Sequence, residues 1–159
     1  MRAGERPALR STRHPSTTDP VTYSVTDSVT GDFVVGQRQV FPAVTGSIRA
    51  ARSFVRSTVE EMMSPDRLVD VELVTSELVT NAVEYGDGDE FIVSIDARDA
   101  ELTLVVSGHT NGVPQPSVEM PSVESPRGRG LQIVHALCDS VIVDAARGVV
   151  SVECRFRLS

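Results

Sequence analysis

The chain has 159 residues and a net charge of −7, and all fifteen of its basic residues are arginine. This length suits one compact domain with a single core. The acidic balance argues against nucleic acid as the main partner, because phosphate backbones bind basic surfaces. The absence of lysine excludes a P-loop, whose lysine contacts the nucleotide phosphates.

No part of the sequence resembles a membrane span or a secretory signal. The apolar runs are all far shorter than the roughly 18 residues that a span requires. The arginine-rich amino terminus is not followed by the apolar block of a signal peptide. We therefore expect a cytoplasmic protein that does not enter a membrane.

The composition changes near residue 32. Residues 1–32 are rich in Ser, Thr, Pro and Arg, with scattered apolar residues, which is typical of a flexible tail. A short strand is a candidate element within this tail, from Val21 to Val29. The remaining residues, 33–159, are predicted to form the folded domain, beginning with a strand at 38–41 that Pro42 closes.

Two amphipathic helices are predicted next. The first begins at Ser47, because apolar residues recur there every three or four positions: Ile48, Ala51, Val55, Val59 and Met62. The second runs from residue 66 to Tyr85, with Ser64 as N-cap and Gly86 after its end. Its predicted buried stripe consists of Val71, Val74, Leu78, Ala82 and Tyr85.

The second half of the sequence predicts strands around a third helix. Apolar alternation at 91–97 and 102–106 indicates a hairpin, followed by a proline-rich irregular loop at 107–126. Gly128 to Gly130 open the third helix, with Leu131, Val134 and Leu137 inward, and two strands follow at 141–143 and 150–158. The fold class is therefore α+β, a two-layer sandwich with three helices on one face of a mostly antiparallel or mixed sheet.

Two segments carry residues suited to chemistry. Glu77 and Asn81 are four residues apart on the second helix, so their side chains share one helical face. The amide oxygen suits a hard cation such as Mg²⁺, and the carboxylate suits proton abstraction. The alternative is an ordinary exposed polar face of an amphipathic helix.

The segment from Arg127 to Leu131 is the second candidate. Glycines before a helix let backbone N–H groups approach an anion, and the helix dipole favours negative charge there. Arg127 and Arg129 add donors suited to phosphate. The alternative for this segment is a flexible hinge followed by a glycine near the helix cap.

Taken together, these segments resemble the GHKL (histidine-kinase-like, Bergerat-fold) ATPase superfamily over residues 38–158. The stretch from Glu77 to Tyr85 resembles its N box, and the stretch from Gly128 to Leu131 resembles its second glycine box and lid hinge. A short chain with a helix like the one starting at Ser47 is similar to the single-domain anti-sigma-factor serine kinases.

The resemblance implies a role for each motif. Asn81 would hold Mg²⁺ on the ATP phosphates, and Glu77 would be the general base that activates a serine hydroxyl on a partner protein. Gly128, Arg129 and Gly130 would contact the phosphates, flanked in the same segment by Arg127 and Leu131. Residues 113–126 would form a mobile lid.

The resemblance also implies partners. Family members sequester a sigma factor and phosphorylate an anti-anti-sigma protein on serine, and they often form homodimers. Arg49 and Arg52, on the first helix, are candidates to face such a partner, and the alternative is that they are solvated surface arginines.

The first glycine box of the family, which recognises adenine, departs from its pattern here. Gly108 stands where the family has the aspartate that accepts the adenine amino hydrogen, and Thr110 stands where it has a glycine. Gly112 matches the pattern, and Tyr85 replaces a frequent histidine. The sequence therefore leaves three hypotheses: an ATP-dependent serine kinase, a pseudo-ATPase that acts only by binding proteins, or a plain structural domain whose motifs are coincidental.

Overall fold

The computed structural model describes residues 21–26, 33–110 and 129–158. The strands are β1 Val21–Thr26, β2 Phe33–Pro42, β3 Glu90–Arg98, β4 Glu101–His109, β5 Ser140–Ala146 and β6 Val149–Arg157. The helices are α1 Gly46–Val59, α2 Pro65–Tyr85 and α3 Arg129–Leu137. The strands form one sheet in the order β1-β2-β3-β4-β6-β5, and the helices cover one face of it. The predicted two-layer α+β fold is confirmed.

All strand pairs of the described sheet are antiparallel. Two of them are joined by two-residue turns in which both residues have positive φ, at Asp99 and Ala100 and at Arg147 and Gly148. Such turns match the twist of antiparallel strands and fix their register. Short hairpins therefore account for the antiparallel pairing of β3 with β4 and of β5 with β6.

The strands before α1 extend further than the sequence indicated. β2 begins at Phe33 rather than near residue 38, because its backbone pairs with β1 on one side and β3 on the other. β1 corresponds to the short strand expected between Val21 and Val29. The description of residues 1–32 as a flexible tail stays a prediction.

The core lies between the sheet and the helices. Alternate residues of the central strands face the helices and are buried: Phe91, Val93, Ile95, Ala97, Leu102, Leu104, Val106, Cys154 and Phe156. Phe41 stacks on Phe91 with 5.4 Å between ring centroids and meets the Phe54 ring edge-on at 5.9 Å. Burying a large apolar side chain of this kind contributes roughly 1.5–3 kcal/mol, so this layer holds α1 against the sheet.

The sequence placed the ends of α2 correctly and the end of α1 too late. Ser64 caps α2 by accepting a hydrogen bond from the Arg67 amide at 3.4 Å, and Pro65 is the first helical residue. α1 ends at Val59, so Met62 lies in the turn before Ser64 and packs there half-buried against the core. The turn is needed because the chain must reverse before Pro65, which disfavours helical backbone at the residue before it.

Two residues predicted to be buried are exposed. Tyr85 is 58% exposed, because it is the last residue of α2 and the chain leaves the helix at Gly86. Leu131 is 37% exposed, whereas Val134 is fully buried. The inward face of α3 starts at Gly130. Val134 lies one turn after it and Leu137 two turns after it, whereas Leu131 is rotated away from this face.

The loop predicted from residue 107 begins later than expected. β4 continues to His109, because Gly108 pairs with Phe91 on one side and Val150 on the other. Pairing satisfies the backbone hydrogen bonds of these residues, which a loop would leave to water.

Among the described residues, no helix is long and apolar enough to cross a membrane.

Arg67, near the start of α2, links that helix to the end of α3. Its guanidinium donates a 3.0 Å hydrogen bond to the Leu137 carbonyl, pairs with Asp139 and lies 5.7 Å from the centre of the Phe156 ring. Asp139 also accepts a 2.9 Å hydrogen bond from the Arg157 amide. That backbone hydrogen bond, helped by the positive charge of Arg67, lowers the pKa of the Asp139 carboxyl.

We expect Asp139→Asn to destabilise the protein at neutral pH by at most about 1 kcal/mol, because the group is partly exposed. A lowered pKa in the folded state means that the ionised form stabilises the fold above the ordinary aspartate pKa of about 4. The difference in unfolding free energy should therefore shrink as the pH falls below about 4. Urea unfolding across pH measures it, with Asp144→Asn as the control for charge loss, and a constant difference would contradict the prediction.

Candidate functional site

Glu77 and Asn81 lie on the second half of α2, and both side chains are half-buried. The flanking residues Val74 and Leu78 are buried in the core, which fixes the rotation of the helix about its axis. The face that carries Glu77 and Asn81 is partly covered, and at Glu77 it borders the beginning of α3. The chemical roles of the two residues stay a prediction.

Gly130 brings the two sequence motifs together. A Cβ atom added at Gly130 would lie 2.6 Å from Oε2 of Glu77 and 3.6 Å from its Cδ. A contact this short requires something to move, so the Glu77 carboxylate can lie where it does only with glycine at position 130. The N-box and second-glycine-box segments, 53 residues apart in the sequence, are in direct contact.

The electrostatics of this contact suit negative charge. Residues 129–132 form the first turn of α3, where four backbone N–H groups have no partner within the helix. The partial positive charge of that helix end favours a nearby carboxylate or phosphate group. The Glu77 carboxylate lies beside this turn, and Asn81 follows one helical turn later on α2.

Gly108 lies on the face of the sheet that the helices cover. It is opposite Phe91, whose side chain is buried in the core. A Cβ atom added at Gly108 would meet only Phe91 Cβ, at an ordinary distance of 3.8 Å. The position where the family has aspartate therefore has room for the first atom of a side chain.

The end of α2 is joined to the end of β4, a contact that the sequence analysis missed. The Asp87 amide donates a 3.0 Å hydrogen bond to the carbonyl of His109. A Cβ at Gly88 would lie 3.1 Å from Cβ of His109, and one at Gly86 would collide with the Ala82 carbonyl oxygen. From the sequence, Gly86 was interpreted only as a helix stop, although glycine is also typical of a close backbone approach.

The remaining predicted residues fall into two groups. Gly112, Arg127 and Gly128 lie outside the described residues, as does the segment 113–126. Arg129 is the first residue of α3. Arg49 and Arg52 are exposed on α1, as both of their interpretations require.

A shallow depression of about 300 Å³ lies on the opposite face of the sheet. It is lined by Asp96, Arg98, Asp99, Glu101, Thr103 and Arg155. The Arg155 guanidinium pairs with Glu153 at 2.7 Å and Glu101 at 3.8 Å. Because the Arg155 guanidinium is already engaged by two carboxylates at the surface, we place the candidate site at the α2–α3 contact instead.

Comparison with known proteins places this geometry in a family. The model of the histidine kinase-like ATPase domain matches residues 41–154, which is more than two thirds of the chain. The chain therefore belongs to the family of histidine kinase-like ATPase domains, as its N-box and glycine-box motifs indicated. A comparison with curated proteins finds no match.

A solved structure has the same fold. The crystal structure of the RsbU and RsbW domains of Rv1364c from Mycobacterium tuberculosis matches with a TM-score of 0.59 and 19% sequence identity. The match covers 76% of this chain and 32% of that chain. The chain thus spans about a third of the length of that relative, and the likeness concerns the fold.

The described residues fit the phosphate end of a nucleotide with Mg²⁺. Protein-bound Mg²⁺ takes oxygen ligands, commonly one or two from the protein and the others from phosphate and water. Asn81, one helical turn after Glu77, would supply such an oxygen, and the first turn of α3 suits phosphate. At the adenine end, Gly108 offers no side-chain acceptor, so the fit there is weaker.

Proposed function

We propose that this chain is an ATP-binding serine protein kinase of the anti-sigma-factor type, acting in the cytoplasm. Its substrate would be a serine hydroxyl of an anti-anti-sigma protein, and its second partner a sigma factor that it sequesters. The observation that carries the proposal is the direct contact of Glu77 with Gly130, one turn from Asn81 on α2.

The proposed roles are those that the family resemblance implies, and the contact of Glu77 with the first turn of α3 supports them. ATP with Mg²⁺ would supply the phosphoryl group that is transferred. Asn81 would hold the cation through its amide oxygen, and the first turn of α3 would hold the phosphates through backbone N–H groups. Glu77 would accept the proton of the serine hydroxyl as that oxygen attacks, a contribution of about 10²- to 10⁴-fold for a positioned base.

Two of the exposed arginines on α1 could contact a partner protein. Arg49 and Arg52 are exposed on α1, and we propose them as contacts for the sigma factor or the anti-anti-sigma protein. Guanidinium groups suit carboxylates on a protein surface, because they form two parallel hydrogen bonds. The same surface arginines serve a protein-binding role with or without catalysis.

Gly108 favours a second candidate function, a pseudo-ATPase that acts only by sequestering its partner. Loss of one charge-assisted hydrogen bond costs roughly 1.5–3 kcal/mol, which weakens binding about 10- to 150-fold. A site of ordinary micromolar affinity would then require millimolar nucleotide. The two candidates differ in whether the chain binds ATP at cellular concentrations.

Calorimetric titration with ATP and Mg²⁺ separates them. We expect binding that is stronger for ATP than for GTP, and Asn81→Ala should weaken it by at least about tenfold, since it removes a ligand of a charged group. Thr80→Ala, at the neighbouring half-buried position of α2, is the matched control and should bind like the unmodified chain. No heat at millimolar ATP would contradict the kinase proposal and favour the pseudo-ATPase.

A further inference from the structure

The absence of a side chain at Gly130 also affects the position of the Glu77 carboxylate. The position of Oε2 of Glu77, 2.6 Å from the place of a Cβ at residue 130, leaves no space for any other amino acid without movement. The atom that must move is the end of a long, rotatable side chain. The backbone of α3 is held by its own hydrogen bonds, by Val134 in the core and by the hydrogen bond from Arg67 to Leu137.

This distinguishes Gly130 from Gly86, the other glycine of the described residues at which a Cβ would lie less than 3.0 Å from another atom. A Cβ at Gly86 would collide with the Ala82 carbonyl oxygen, which belongs to the backbone of α2 and has no freedom to rotate. A substitution at Gly86 therefore strains the fold. A substitution at Gly130 relocates the Glu77 carboxylate and leaves the fold in place.

We infer that Gly130 is a positioning residue for Glu77. The absence of a side chain at Gly130 leaves the space in which the Glu77 carboxylate lies against the first turn of α3. Gly130 therefore determines the position of the proposed general base. This inference rests on the proposed function, in which Glu77 accepts the proton of the attacking serine. It assigns to Gly130 a role in orienting a protein side chain, separate from any contact with phosphate.

A double-mutant cycle tests the inference without requiring activity. Gly130→Ala, Glu77→Ala and the double variant are compared with the unmodified chain by melting temperature. Alanine in place of a helical glycine normally stabilises. We expect Gly130→Ala to raise the melting temperature clearly in the Glu77→Ala background and to raise it less, or lower it, when Glu77 is present.

Gly46→Ala is the matched control, because Gly46 also lies in the first turn of a helix and a Cβ there meets nothing within 4 Å. Its effect on the melting temperature should be the same with and without Glu77. Equal shifts for Gly130→Ala in the two backgrounds would overturn the inference, since they would mean that residue 130 does not act through Glu77.

Kinetics supply the functional readout. With Glu77 present, Gly130→Ala should lower kcat about 10- to 100-fold, the loss typical of a group displaced by about 1 Å, and change KM for ATP little. A kcat equal to that of the unmodified chain, or a loss confined to KM, would overturn the positioning role. If the unmodified chain has no activity, the kinase proposal fails, and the melting temperatures still decide whether Gly130 sets the place of Glu77.

Discussion

Glu77→Gln should lower the rate of serine phosphorylation about 100- to 10,000-fold while leaving ATP affinity within a few-fold of that of the unmodified chain. Glutamine has the shape of glutamate, so the contact with Gly130 at the first turn of α3 is retained. It cannot accept a proton from the serine hydroxyl, so the chemical step alone is impaired. The measurement is single-turnover transfer of labelled phosphate to the partner protein, beside calorimetric binding of ATP.

Glu84→Gln provides the control for this prediction. Glu84 lies on the same helix, two turns later, and is exposed to solvent. Its substitution removes the same charge without touching the α2–α3 contact, and it should phosphorylate at the unmodified rate. Equal rates for Glu77→Gln and the unmodified chain would contradict the role of Glu77 as the base, whatever the affinity for ATP.

Gly108→Asp should tighten ATP binding about 10- to 150-fold, because it restores the carboxylate that accepts the adenine amino hydrogen in the family. The structure permits the change: position 108 faces the helices, and a Cβ there meets only Phe91 Cβ at 3.8 Å. The gain should be confined to adenine nucleotides, since guanine has a carbonyl in place of that amino group. Titration with ATP and GTP in parallel measures it.

Two further variants at this position interpret the result. Gly108→Ala fills the same first atom without an acceptor and should leave the affinity unchanged, and Gly108→Asn should give a smaller gain because it has no charge. An unchanged ATP affinity for Gly108→Asp would contradict the prediction that restoring the carboxylate restores adenine recognition. An equal gain in affinity for ATP and GTP would mean that the new carboxylate does not recognise the adenine base.

The helix that carries the site was predictable because its signals are local. Ser64 and Pro65 set its start and Gly86 its end, and the spacing of apolar residues set which face is buried. These signals act within one or two turns of the chain, so they can be read without knowing the fold. The shared helical face of Glu77 and Asn81 follows from the same periodicity.

The errors came from contacts between elements distant in sequence. Leu131 was predicted to face inward, but the inward position at the start of α3 belongs to Gly130, where a side chain would strike Glu77. Tyr85 continued the apolar stripe of α2, yet it is the last helical residue and is exposed. The extension of β4 to His109 required its partners β3 and β6, which local patterns do not contain.

By itself, the sequence determined the class of fold, the location of Glu77 and Asn81 on one face of α2, and the presence of glycine at the position of the adenine-binding aspartate. Periodicity and capping are properties of neighbouring residues, and a motif substitution is visible wherever the chain folds. Only the tertiary structure decided that Gly130 lies on Glu77, that His109 meets the end of α2, and that position 108 faces the helices with room for a Cβ atom. Those facts depend on how helices and strands pack, because close packing joins atoms whose separation along the chain carries no local signal.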